Sequence, residues 1–97
     1  MDTAAIIKMH KALGDKTRYQ IVTLLSQETR LCAGHIEELL DGVPSSTLSH
    51  HLKLLAASGL IVPERSGTFI YYTLDPVLAA RFVPELWAAA ATVNVAR

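Results

Sequence analysis

The 97-residue sequence has one cysteine and no net charge, its nine basic and nine acidic side chains cancelling. A single cysteine excludes an intramolecular disulfide and fits a reducing compartment. Zero net charge removes any argument for nucleic-acid binding from bulk charge, so a basic footprint has to be local. No uninterrupted apolar run approaches the ~18 residues needed to cross a bilayer, and the chain opens on no basic-then-apolar leader, so a cytoplasmic protein without membrane association is expected. There is no Gly-rich phosphate loop, catalytic carboxylate pair or Ser/His/Asp arrangement; catalytic residues, cofactor and enzymatic activity are not expected.

What the chain does have is apolar surface. Hydrophobic residues make up 51% of the composition. That is high for a chain with room for one domain, 1–97, and a modest core, so part of the surface is expected to be buried between subunits.

The pivotal stretch is Val43 to Leu55, VPSSTLSHHLKLL. Pro44 and Ser45 stand where a helix would begin, the serine oxygen being able to accept from free backbone N–H groups. Leu48, Leu52 and Leu55 form an apolar stripe at helical spacing. Ser46, Thr47, Ser49, His50 and Lys53 form the opposite face, whose small hydroxyls allow close approach to phosphates and base edges. The same pattern also describes an ordinary solvated face behind a Ser/Thr cap.

Around it the periodicity predicts helices over 3–13 and from Lys16 to about Ser26, with Asp15 as N-cap of the second. A polar connection through 27–31 and a short third helix containing Ile36, Leu39 and Leu40 follow. Asp41-Gly42 then turns into a fourth helix over 45–58, a helix-turn-helix arrangement. β-forming segments 60–64 and 68–74 flank a Ser66-Gly67 turn, with Arg65 and Thr68 at the hairpin tip and Pro63 tolerated because each strand has an edge. Asp75-Pro76 opens a last helix over about 76–91, which Pro84 kinks or interrupts; its apolar residues, Trp87 among them, cover more than one face.

In this order the segments resemble the ArsR/SmtB family of winged helix-turn-helix repressors over nearly the whole chain. The resemblance is carried by KALGDKTRYQIVTLL (11–25), RLCAGHIEELL (30–40), SSTLSHHLKLLAASGLI (45–61) and RSGTFIYYTL (65–74). It implies a mainly α fold with a β-hairpin, in the order α1-α2-α3-α4-β-β-α5 for the segments just given. It also implies a homodimer joined through the helices at about 3–13 and 76–91, and repression of a double-stranded DNA operator until an inducer, usually a soft metal ion, releases it. Position by position, the implied DNA-binding residues are Ser45, Ser46, Thr47, Ser49, His50 and Lys53 on the recognition helix, with Arg65 and Thr68 on the wing at 60–74. Arg18 is a further candidate for phosphate. His51, at the edge of the buried stripe, is expected to be a core histidine holding a backbone carbonyl.

Metal-responsive members carry soft ligands at the start of the third helix in patterns such as ELCVCDL or ELCVGDL, where this chain reads RLCAGHI. Cys32 and His35 are both good zinc donors, yet two ligands leave a four-coordinate site half filled. No metal site is expected, and Cys32 reads first as a small buried apolar residue, a metal or thiol sensor using Cys32 and His35 being the alternative. A winged-helix module binding protein instead of DNA is the competing functional class. The Ser-Ser-Thr-x-Ser-His face and Arg65 favour DNA.

Overall fold

In the computed structural model, which describes residues 1–87, the elements run α1 (Thr3–Leu13), α2 (Lys16–Gln27), β1 (Leu31–Cys32), α3 (Ala33–Leu39), α4 (Ser45–Ser58), β2 (Ile61–Ser66), β3 (Phe69–Leu74) and α5 (Pro76–Phe82). Local chemistry sets most of these boundaries. The carboxylates of Asp2, Asp15 and Asp75 accept from backbone N–H groups of Ala5, Arg18 and Leu78, capping α1, α2 and α5. Gly59 ends α4 in the left-handed region at φ 87°, where a side chain would be strained, and donates its N–H to the Ala56 carbonyl.

Two details differ from expectation. The hairpin gains a third strand: Leu31 and Cys32 pair with Tyr72 and Tyr71, giving an antiparallel sheet ordered β1-β3-β2. Pro63 is still tolerated, because β2 remains an edge strand. The turn is Gly67-Thr68, not Ser66-Gly67, since Ser66 is already paired with Phe69. Only the first turn residue, Gly67, has positive φ (62°), the pattern of a II′ hairpin. The last helix is interrupted at Pro84, as expected. The α5 helix stops at Phe82, and Val83 leaves helical geometry ahead of Pro84, a residue with no N–H to continue the ladder. A new helical stretch begins at 84, with Leu86 and Trp87 donating to the Val83 carbonyl. The part of the expected dimer helix at 88–91 lies outside the described residues.

One apolar cluster joins the elements. Met9 and Ala12 of α1, Ile21, Val22 and Leu25 of α2, Ile36 of α3, the α4 stripe, Leu60, Ile61 and Ala79 are all buried. The sheet presents Ile61, Leu74, Tyr72 and Leu31 on one face, and this is the face turned toward the helices. No helix among the described residues is long and apolar enough to cross a membrane.

Leu55 is fully buried at the meeting point of α4 and this cluster. Leu55→Ala should lower unfolding stability by about 2–5 kcal/mol, read as a reduced urea midpoint with an unchanged denaturant slope.

Candidate nucleic-acid interface

The expected Leu48, Leu52 and Leu55 stripe is buried, so the opposite side of α4 has to face outward. Ser46, Ser49, His50 and Lys53 are exposed and fall along one strip of the helix, with exposed Ser45 and Thr47 on its two flanks. Arg65 and Thr68 are exposed on the wing. Strand alternation puts Arg65 on the same side of the hairpin as Ile61, but Ile61 is buried against the helices while Arg65 is exposed.

The two edges of the strip differ chemically. On the α3 side, Ser45 does not cap α4; its hydroxyl donates to the Glu37 carboxylate, and the helix has no side-chain cap. Pro44 occupies the N-cap position. The α4 N-terminus is therefore open, its free N–H groups flanked by a carboxylate already engaged with Ser45.

On the α1 and α2 side stands Arg18. Its Nε donates to the Ala12 carbonyl at 2.7 Å and its Nη2 to that of Lys11 at 3.3 Å, both among the last carbonyls of α1. Its Nη1 lies 3.0 Å from His51 Nδ1. A guanidinium has no acceptor, so this bond requires Nδ1 to accept, leaving a neutral imidazole with its proton on Nε2. His51 is thus held by Arg18, not by a backbone carbonyl as expected, and Arg18, the further candidate for phosphate, is a tie between three helices. Asp15 Oδ2 is 3.8 Å from the same His51 nitrogen. The Arg18 backbone N–H donated to Asp15 is the main cause holding that carboxyl below its ordinary pKa; partial burial opposes the shift and the Arg18 charge adds to it.

Glu37 and the pairing of Arg18 with His51 were not foreseen. The available signal was Arg18 itself: a cation in the first turn of a helix opposes the helix dipole unless its head group reaches elsewhere. Here it reaches the negative end of α1.

Cys32 is half-buried in β1 opposite Tyr71, and His35 is exposed one turn into α3. Among the described residues no group of three or more His, Cys, Asp or Glu side chains gathers as a metal site. Next to Cys32, the guanidinium of Arg30 lies 3.9 Å over the Tyr71 ring.

A helix-turn-helix whose second helix bares a polar strip, followed by an antiparallel wing, is a winged helix-turn-helix DNA-binding domain. A family profile described as a helix-turn-helix domain matches residues 13–64. The arsenical resistance operon repressor of Escherichia coli (strain K12) is 37% identical over 84 residues, which cover 84% of this chain and 71% of that protein. The cadmium resistance transcriptional regulatory protein CadC homolog of Staphylococcus aureus is 37% identical over 70 residues, 72% of this chain but only 57% of that longer protein. Among solved structures, the transcriptional repressor BigR from Xylella fastidiosa superposes with a TM-score of 0.71 at 27% identity, covering 87% of this chain and 84% of that one. The chain belongs to the ArsR family of winged helix-turn-helix transcriptional repressors, and is a DNA-binding regulator.

Because the Asp15 carboxyl has a depressed folded pKa, its contribution is complete above the unfolded value and fades as pH falls toward the folded one. Asp15→Asn keeps an oxygen at the cap but abolishes the titration. The wild type should lose more stability than this variant between neutral pH and acid, measured by urea midpoints across that range.

Proposed function

We propose that this chain, as one domain over 1–97, represses transcription as a cytoplasmic homodimer on a palindromic operator. Each subunit sets α4 in the major groove and its wing on the flanking backbone or minor groove. Ser46, Ser49, His50 and Thr47 meet base edges and nearby phosphates, Ser45 lies at the α3 edge, and Lys53, Arg65 and Thr68 contact the backbone. The observation that carries this reading is the exposed strip of hydroxyl, imidazole and ammonium groups on the second helix of a family helix-turn-helix.

Exposed apolar side chains support the dimer: Ile7 on α1, Val77 on α5 and Trp87 beyond it stand at 49%, 75% and 36% exposure. A second copy covering them extends a core that is small for one chain. Two relatives are named for arsenical and cadmium resistance. Cys32 and His35 alone do not fit a four-coordinate ion, so metal induction forms no part of the proposal. No catalysis is assigned.

The test is a fluorescence-anisotropy titration against duplex from the gene's own upstream region and against random duplex. Ser46→Ala combined with His50→Ala should lower the ratio of specific to random affinity by about 1–3 kcal/mol while the dimer stays folded. An undiminished ratio would remove that face from the interface. Arg65→Ala should weaken both duplexes alike and reduce the salt slope by about 0.9 for each phosphate no longer neutralised.

A further inference from the structure

The recognition helix and wing offer DNA few cations. Of the residues assigned above only Lys53 and Arg65 carry a fixed positive charge, and Glu64 directly precedes Arg65. With net charge zero, nothing in the bulk of the chain makes up the difference.

Two further ammonium groups border α4. Lys8 and Lys11 are exposed and one turn apart on α1; together with Ala12, Arg18 and Leu54 they line a hollow of about 190 Å³ between α1 and α4. Among the described residues no carboxylate lines it. Leu54 follows His50 by one turn and Lys53 by one residue, so the hollow opens along the edge of the polar strip. Helix geometry accounts for the placement. Lys8 is two residues from His10 and therefore on the other flank of α1, and it is the His10 flank that packs edge-on against Phe82 of α5, ring centroids 5.6 Å apart. Among the described residues the one acidic contact at ion-pair distance is Asp15 with the neutral His51 ring, and neither lysine has an acidic partner. Arg18 differs from both, its Nε, Nη1 and Nη2 all being engaged within the protein.

We infer that Lys8 and Lys11 form a second phosphate-contacting row, gripping the duplex backbone alongside the groove that α4 occupies. The inference rests on the DNA-binding reading above. Ammonium groups on flexible stems suit this task, since they neutralise phosphate as point charges without reading sequence. The row also supplies the local basic footprint that a neutral chain needs.

The experiment is anisotropy titration of the full chain on upstream and random duplexes over about 50–200 mM salt, comparing wild type, Lys8→Gln/Lys11→Gln and Lys8→Arg/Lys11→Arg. In a dimer, removing two ammonium groups from each subunit should reduce the slope of log affinity against log salt by roughly 3–4 on both duplexes. The arginine variant should keep the wild-type slope, and the ratio of upstream to random affinity should stay within about twofold for all three, as expected of phosphate neutralisation that carries no sequence information. Wild-type binding with an unchanged slope in the glutamine variant overturns the inference and leaves the repressor reading standing. A slope reduced equally in the arginine variant overturns it too, since charge is then not the cause. A wild type that binds no duplex overturns both readings.

Discussion

Arg18 is the constraint on which the placement of the DNA-reading helix depends. Apolar burial supplies the driving force for folding and turns the leucine side of α4 inward, but, being non-directional, it leaves the fine rotation of α4 and its position along its axis loose. The guanidinium fixes both. It rises from the first turn of α2, satisfies two carbonyls at the negative end of α1, and takes His51 as its third partner. His51 immediately follows His50 on the recognition strip. Holding one ring therefore sets the direction in which the other, with Ser46, Ser49 and Lys53, faces outward.

This arrangement separates the work of the two sides of α4. The leucine side enters the common core, the Ser45 edge is tied to α3 through Glu37, and the His51 edge is tied to α1 and α2 through Arg18. A helix anchored along three of its four sides leaves one for a partner, and that one carries polar groups compatible with a duplex. The wing follows directly, because Gly59 turns the chain out of α4 in a conformation open to glycine and β2 starts two residues later. Buried Ser58 reinforces the corner, its hydroxyl donating to the Leu55 carbonyl and accepting the Leu60 N–H.

Much of this was legible in the sequence, for reasons that can be named. Periodic leucines and aspartate caps are local signals, and the bounds of α1, α2 and α4 match expectation within a residue or so. The family resemblance supplied the order of elements and the assignment as a DNA-binding regulator. What escaped depends on distant partners. β1 is two residues long and exists because Tyr71 and Tyr72 pair with it from a distant part of the chain; no alternating pattern can announce so short a strand. Ser45 looked like a cap, but Glu37 across the turn is a stronger acceptor for its hydroxyl than the helix is a donor to it. His51 was placed correctly at the core edge, whereas its partner, 33 residues earlier, had no local signature. The hairpin turn moved by one residue because cross-strand register, which follows from pairing and not from composition, put Ser66 opposite Phe69.

The most direct measurement is a backbone amide chemical-shift titration, following each residue as upstream duplex is added. If α4 and the wing are the DNA-reading surface, the largest perturbations fall within α4, from Ser46 to Lys53, and around Arg65 to Thr68 at the wing, with α5 and the outer sheet face near Tyr71 little changed. Perturbations concentrated on α5 or the outer sheet face, with α4 silent, would contradict that placement.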